Sequence, residues 1–246
     1  FELLALMNGS EGMLGITLEA IVKLLPQPNN RKVILAAFDQ MQNAGNAVAG
    51  IISSGIVPAG LELMDHFTIE ATEKYCSPGY PLNAAALLIC ELDGYEEELN
   101  SQVTSTQKIL KHHRATEVRL ARDEHEAEAF WQGRKAAFPA LGNISPDYYC
   151  MDGTIPRKHL AQVLEKINTL SKKFGLRVAN VFHAGDGNLH PVILYDANEP
   201  KELNTAEKFG GEILELCVNV GGTITGEHGV GVEKLNQMCV QFNEAE

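Results

Sequence analysis

Two histidines frame a tight turn in the stretch Val181-Phe182-His183-Ala184-Gly185-Asp186-Gly187-Asn188-Leu189-His190-Pro191. Apolar, β-prone residues lie on both sides of the turn, at 176–182 and 192–195. An Asp-Gly pair between two such runs predicts a β-hairpin closed by a two-residue type I′ turn, which needs a positive φ at both central positions. In that register His183 lies directly opposite His190, so both imidazoles share one face of the sheet and form the beginning of a metal site.

The composition is that of a globular protein. The chain has 246 residues, of which 45% are hydrophobic and 21% charged, which suffices for one large domain or two small ones. A formal net charge of -12 argues against a nucleic-acid-binding surface, and no apolar run approaches the ~20 residues of a membrane span. The five cysteines are widely spaced and form no CxxC pair, as expected of reduced thiols in a cytosolic protein, so we expect a cytoplasmic location.

From residue 30 onward, candidate strands and helices alternate in the order strand-helix-strand, strand-helix-strand. This is the split βαβ, or ferredoxin-like, arrangement, and the order of elements occurs twice. In the first half we predict strands at 32–38, 57–64, 84–92 and 117–121 and helices at 40–54, 65–75 and 95–113. In the second half we predict strands at 148–155, 176–184, 188–196 and 223–225 and helices at 156–173 and 201–220. A helix at 123–137, ending at Pro139, links the halves, and the expected fold is α+β, with one broad antiparallel sheet and helices on one side.

A glycine-rich stretch lies further along the chain and reads Gly221-Gly222-Thr223-Ile224-Thr225-Gly226-Glu227-His228-Gly229-Val230-Gly231. Ordering so many glycines costs conformational entropy, and the close approach of a cofactor or substrate is the expected benefit. Glu227 and His228 are adjacent, so on extended backbone one can face a metal while the other faces a substrate. Together, His183, His190 and Glu227 form a metal-binding set with an open position for substrate or water. From spacing alone, two buried histidines bonded to backbone and a surface glutamate explain the pattern equally well.

A family resemblance rests on the two stretches His183-Ala184-Gly185-Asp186-Gly187-Asn188-Leu189-His190 and Gly226-Glu227-His228-Gly229-Val230-Gly231, which resemble the C-terminal cap domain of FAD-linked oxidases of the vanillyl-alcohol oxidase type. The last flavin-contacting loop of that family's FAD-binding domain is similar to Gly9-Ser10-Glu11-Gly12-Met13-Leu14-Gly15-Ile16. A third stretch resembles the FAD-linked subunit of the glycolate oxidase branch in particular. It reads Ile144-Ser145-Pro146-Asp147-Tyr148-Tyr149-Cys150-Met151-Asp152-Gly153-Thr154-Ile155-Pro156-Arg157. The resemblance implies a fragment of a longer protein, with 1–28 as the tail of the FAD-binding domain and 29–246 as the substrate-binding cap, in halves at about 29–122 and 140–230.

The resemblance also implies an activity and a role for each site residue. The implied enzyme oxidises glycolate or D-lactate to the 2-oxo acid and passes the hydride to FAD. A divalent, zinc-like metal ion is implied at His183, His190 and Glu227. Two catalytic residues that also bind substrate are implied, His228 as the base for the hydroxyl proton and Arg134 as the cation for the carboxylate, a task that suits the planar fork of arginine. The implied FAD contacts are Ser10, Glu11, Gly12, Gly15 and Ile16.

The chain departs from the family pattern at several positions. Relatives that act on larger or dicarboxylic hydroxy acids have a threonine where this chain has Phe138, an asparagine where it has Val192, and a lysine near Cys150. The loss of three polar groups implies a smaller, less polar pocket, which suits glycolate or D-lactate better than 2-hydroxyglutarate. Met13 stands where the family commonly has threonine, which leaves that flavin contact open.

Two other functions remain as alternatives. The glycolate oxidase resemblance implies partner subunits, namely a smaller FAD-binding paralogue and an iron–sulfur subunit, and through them a peripheral membrane association. In that case the chain serves mainly as an assembly module that is inactive alone. A metal-dependent hydrolase on a ferredoxin-like scaffold ranks last, because the sequence offers no further acid or nucleophile that we can place.

Overall fold

The computed structural model of the protein describes residues 2–24, 26–28 and 30–246. Its strands are β1 (Asn30–Phe38), β2 (Gly60–Asp65), β3 (Ala86–Gly94), β4 (Glu117–Leu120), β5 (Asp147–Cys150), β6 (Gly153–Thr154), β7 (Val178–His183) and β8 (Asn188–Tyr195). They form one antiparallel sheet in the order β4-β1-β3-β2-β7-β8-β5, with β6 alongside β8, which confirms the predicted broad sheet. The domain boundary predicted between 28 and 29 falls on Asn29, which lies outside the described residues.

The helices lie largely where the sequence predicts them. They are α1 (Leu3–Met7), α2 (Met41–Ser53), α3 (His66–Cys76), α4 (Glu96–His112), α5 (Glu124–Lys135), α6 (Ala137–Gly142), α7 (Leu160–Phe174), α8 (Glu202–Asn219) and α9 (Leu235–Gln241). A short 3-10 helix, Arg157–His159, precedes α7. The predicted linker helix is instead two helices, and Pro139 lies within α6, because proline is accepted in the first turn of a helix. No helix within the described ranges is long and apolar enough to cross a membrane.

The sheet has two halves that meet between β2 and β7. In the first half the strand order is β4-β1-β3-β2, and in the second half β8 lies between β7 and the β5–β6 edge. Strands β2 and β7 pair antiparallel, with Glu62 opposite His183 and Met64 opposite Val181. Because directly opposed residues share a face, this seam brings side chains from both halves of the chain together.

Helices cover both faces of the sheet. On one face, α2, α4, α7 and α8 pack over a core that includes Ile34, Leu88 and Phe182. On the opposite face, α3, α5 and α6 pack over a second core that includes Phe130 and Val181. The expectation of helices on one side only is therefore corrected. The reason is that β1 is buried on both faces from residue 33 to residue 38, so neither face can be left to solvent.

Two predicted strands near the edge of the second half also differ. The strand predicted at 148–155 is divided into β5 and β6, which keep one register against β8. The strand predicted at 223–225 is reduced to a single bridge between Thr154 and Thr223. The next amide, that of Ile224, donates to a glutamine side chain of α9 at 2.8 Å, so the ladder of hydrogen bonds stops there.

Candidate metal and substrate site

The β7–β8 hairpin delivers both predicted histidines to one place, but in a different register. His183 lies opposite Asn188 and His190 lies opposite Val181, so the loop runs from 184 to 187 and the predicted direct opposition of the two histidines is wrong. They still share a face of the sheet, because alternate residues of a strand point the same way. Their ring centroids are 5.1 Å apart, with the ring planes at 88°.

His183 is held from the other half of the sheet by Glu62. Glu62 Oε1 lies 2.8 Å from His183 Nδ1, while Oε2 accepts hydrogen bonds from Arg134 Nε at 2.9 Å and Nη2 at 2.8 Å. Glu62 and Arg134 are 8% and 9% exposed, so their opposite charges are compensated in a nearly closed environment. The hydrogen bond to Glu62 raises the pKa of His183. Arg134, which the sequence predicts to bind a substrate carboxylate, therefore already has a carboxylate partner within the chain.

His190 is almost fully buried and is oriented through both ring nitrogens. Its Nδ1 lies 3.2 Å from the Met151 carbonyl oxygen, and its Nε2 lies 3.0 Å from Glu227 Oε1. Met151 stands opposite Pro191 in the β-ladder and donates its N–H to the Pro191 carbonyl, but proline has no N–H to return. The Met151 carbonyl oxygen can therefore accept a hydrogen bond from His190 Nδ1 instead. Burial lowers the pKa of His190, which favours the neutral ring that binds metals.

The loop that carries Glu227 and His228 is anchored on a fully buried aspartate, Asp152. The Asp152 carboxylate accepts hydrogen bonds of 2.9 to 3.1 Å from five donors. They are the N–H groups of Gly226, Glu227 and His228, the Thr225 hydroxyl and the Lys234 ammonium. Burial alone would raise the pKa of Asp152. The N–H groups of His228 and the other loop residues, together with the ammonium group, outweigh burial and hold that pKa well below its usual range.

Three histidines converge on a single oxygen of Glu227. Its Oε1 lies 3.0 Å from His190 Nε2, 3.6 Å from His183 Nε2 and 3.8 Å from His228 Nε2. The rings of His190 and His228 stack with centroids 5.0 Å apart. The expectation that Glu227 and His228 point in opposite directions is therefore wrong. The loop is not extended, because the N–H groups of both residues turn toward Asp152.

The donor atoms at this point suit a metal ion. One potential ligand atom from each of Asp152, His190, Glu227 and His228 lies within 4.8 Å of the others. Asp152 already accepts hydrogen bonds from the loop and from an ammonium group, so its oxygens are committed. His183 is not part of that group, but its Nε2 lies 3.6 Å from Glu227 Oε1, which it approaches from the hairpin. The side chains near enough to one another to be considered as metal ligands are thus the three histidines and Glu227, and the predicted ligands His183, His190 and Glu227 stay a prediction.

The N-terminal segment is hydrogen-bonded to the site loop through Glu11. The Glu11 carboxylate accepts hydrogen bonds from the N–H groups of Val230 and Gly231, and these two bonds lower the pKa of Glu11. The other residues predicted to contact FAD are partly or largely exposed: Ser10, Gly12, Gly15 and Ile16. Of the predicted flavin-side residues, Glu11 is thus the one whose side chain is hydrogen-bonded to the glycine-rich loop.

The three positions that depart from the dicarboxylate-binding pattern lie together. Val192 is fully buried in an apolar cluster, and Phe138 and Cys150 pack against that cluster. The Phe138 ring also lies 5.9 Å from that of Tyr148. These positions form an apolar environment with residues of α3 and α6.

Comparison with known proteins shows the family to which this chain belongs. The chain belongs to the family described as FAD linked oxidases, C-terminal domain, whose model matches residues 27–246. It is 60% identical over 246 residues to glycolate oxidase subunit GlcD of Escherichia coli, covering 100% of this chain and 49% of that protein. It is 39% identical over 234 residues to the Bacillus subtilis protein of the same name, and the match covers 95% of this chain and 50% of that protein.

More distant relatives and solved structures extend the comparison. Mitochondrial D-lactate dehydrogenase [cytochrome] of Arabidopsis thaliana is 28% identical over 240 residues, covering 97% of this chain and 42% of that protein. A structure of alkyldihydroxyacetonephosphate synthase matches 87% of this chain and 44% of its own with a TM-score of 0.65 and 20% identity. A structure of p-cresol methylhydroxylase matches 81% of this chain and 45% of its own, with a TM-score of 0.64 and 14% identity. These structures show the fold alone, and the chain spans about half the length of the curated relatives it matches.

Proposed function

We propose that this chain supplies the substrate-binding part of a flavin-dependent oxidoreductase that converts glycolate or D-lactate into the 2-oxo acid. The observation that supports the proposal is the convergence of His183, His190 and Glu227, with His228 beside them, in a member of the FAD-linked oxidase family. The relatives described above are named for glycolate and D-lactate, which are both 2-hydroxy acids.

His183, His190 and Glu227 are the proposed ligands of a divalent metal ion. Each of the two Nδ1 atoms faces an oxygen acceptor, so each Nε2 presents a lone pair toward the Glu227 carboxylate. When both rings are neutral with the hydrogen on Nδ1, these acceptors face each other at 3.0 and 3.6 Å, and a metal cation between them would relieve their repulsion. Tetrahedral ligands at zinc distances of about 2.0–2.1 Å would themselves lie roughly 3.3 Å apart, which fits this spacing. A divalent cation there would supply Lewis acidity that lowers the pKa of a substrate hydroxyl.

The proton and the carboxylate of the substrate fall to His228 and Arg134. The His228 side chain is 49% exposed and its Nε2 lies beside the proposed metal ligands, so it can accept a hydroxyl proton there. Arg134 engages Glu62 through Nε and Nη2, which leaves Nη1 to donate to a substrate carboxylate. Hydride transfer from the substrate α-carbon is the chemistry that FAD supplies.

The proposed substrates are small because the neighbouring side chains are apolar. Phe138, Val192 and Cys150 share one apolar cluster, and a second substrate carboxylate there would lose its hydration without gaining a charged partner. Burial also raises the pKa of the Cys150 thiol to about 12, so it offers no anionic group near neutral pH. This environment supports glycolate or D-lactate over 2-hydroxyglutarate.

Residues 1–28 are proposed to belong to an FAD-binding domain, with flavin contacts from the segment that includes Glu11. Met13, Ile16 and Leu18 are 86%, 84% and 88% exposed, as expected of side chains that a neighbouring domain surface covers. The proposed partners are an FAD-binding paralogue and an iron–sulfur subunit, with membrane association only through them. The chain by itself is expected to show no turnover with any 2-hydroxy acid.

A segment exchange tests the proposal. The matching segment of the Escherichia coli glycolate oxidase subunit is replaced by this chain, and dye reduction is followed with glycolate and with D-lactate. We expect activity with one or both substrates, and its loss in His183→Ala and in His228→Ala. His112→Ala, an exposed histidine at the end of α4, is the matched control and should retain activity. Full activity in both site variants would contradict the proposed site.

A further inference from the structure

We propose that Glu62 is a positioning residue that couples the substrate-binding arginine to a metal-binding histidine, an inference that rests on the proposed function. Glu62 lies on β2 directly opposite His183 on β7, at the seam between the two halves of the sheet. Arg134 reaches the same carboxylate from α5, which packs on that face. One buried carboxylate thus ties together three elements that are far apart in the sequence.

The two oxygens of Glu62 have different partners. Oε1 faces His183 Nδ1, and Oε2 faces both Nε and Nη2 of Arg134. The Glu62 side chain is 10% exposed, so water has little access to replace either partner. An ionised carboxylate only accepts hydrogen bonds, so His183 must carry its hydrogen on Nδ1. In the neutral ring, Nε2 then keeps the lone pair that a metal ion needs.

The same geometry predicts what Glu62→Gln does. The new amide oxygen is expected to face Arg134, because the amide NH2 group would otherwise confront guanidinium donors. The NH2 group then faces His183 Nδ1, which must become an acceptor. The hydrogen of the neutral ring moves to Nε2, the atom that points toward Glu227. The substitution therefore reverses the tautomer of His183 while leaving the side-chain shape almost unchanged.

The experiment reads the tautomer and the metal affinity separately in the whole 246-residue chain. Nitrogen-15 NMR at about pH 9, where imidazole is neutral, should show Nδ1–H for His183 in the wild type and Nε2–H in Glu62→Gln. Zn²⁺ affinity, measured by calorimetry, should fall about 10–100-fold in the variant. The control is Glu91→Gln, because Glu91 accepts from Trp131 Nε1 at 2.6 Å and lies outside the site, and it should change neither result.

A wild-type His183 with its hydrogen on Nε2 would overturn the inference, and this measurement does not depend on the variant folding. Unchanged Zn²⁺ affinity in a folded Glu62→Gln would also overturn it. If the tautomers are as expected but the wild type binds no Zn²⁺, the positioning role stands and the metal site of the proposed function fails.

Discussion

The Lys234 ammonium lies 3.1 Å from Asp152 Oδ2 inside the protein, where the two residues are 3% and 0% exposed. This buried ion pair fixes the carboxylate that gathers the N–H groups of the loop carrying Glu227 and His228. The pair therefore sets the position of two site residues without occupying the site itself.

Replacement of Asp152 by asparagine should destabilise the protein strongly. The substitution leaves the buried ammonium of Lys234 without a counter-charge, which typically costs about 3–5 kcal/mol. Urea unfolding monitored by circular dichroism measures the loss. The matched control is Lys173→Met, which breaks an exposed pair with Glu212 and should cost about 1 kcal/mol or less. Equal, small effects of the two substitutions would contradict the anchoring role of Asp152.

The contribution of Asp152 to stability should depend on acid pH. Its pKa in the folded protein is lowered from the ordinary value of 3.8, so the folded state binds its proton less readily than the unfolded chain. The stabilisation is therefore fully present above that ordinary value and is lost as the pH falls through the folded pKa. The difference in unfolding free energy between wild type and Asp152→Asn should be constant above about pH 5 and shrink below about pH 4. If the difference in unfolding free energy between wild type and Asp152→Asn grew as the pH fell, the predicted direction of the pH dependence would be wrong.

Pro191 should matter for the orientation of His190. In Pro191→Ala a backbone N–H appears opposite the Met151 carbonyl and competes with His190 Nδ1 for that acceptor. We expect Zn²⁺ affinity to weaken by up to about tenfold, with little change in the unfolding free energy. Calorimetric titration measures this, with Pro200→Ala in an exposed loop as the control. Identical affinities in the two variants would show that the missing N–H plays no part.

The cysteines should differ sharply in reactivity. Burial raises the pKa of Cys90, Cys150 and Cys217 to about 12 in each case, so near pH 7 their thiolate fractions are very small. Cys239 is exposed on α9 and should be alkylated first by iodoacetamide, as followed by peptide mass spectrometry. Faster labelling of Cys150 than of Cys239 would contradict the structure around the apolar cluster.

The sheet could be predicted because strand periodicity is a local property of the sequence, whereas the hairpin turn could not. The Gly185 N–H donates to the Leu61 carbonyl at 3.0 Å, and the Gly187 carbonyl accepts from the Ile155 N–H at 2.9 Å. These contacts come from β2 and from the segment after β6. They favour the longer loop over the two-residue turn that the Asp-Gly pair suggests.

The proximity of His183 and His190 could be predicted more fully than the residues that orient them. His183 and His190 lie on one strand pair, so alternation alone places both on one face. Glu62 alternates with two leucines in β2, a pattern that by itself suggests a solvent-facing glutamate. The helix that covers it, α5, lies far away in the sequence. Asp152 likewise depends on Lys234, a partner that no local pattern connects to it.

The proposed metal site can be tested by the Zn²⁺ stoichiometry of the metal-stripped chain, measured by equilibrium dialysis and elemental analysis. We expect about one Zn²⁺ per chain. Binding should be lost in His183→Ala and in Glu227→Gln, two partly exposed side chains whose removal leaves the core intact, and it should persist in His112→Ala. No binding by the wild type, or binding by both site variants as strong as that of the wild type, would contradict the proposal that the hairpin histidines and Glu227 form a metal site.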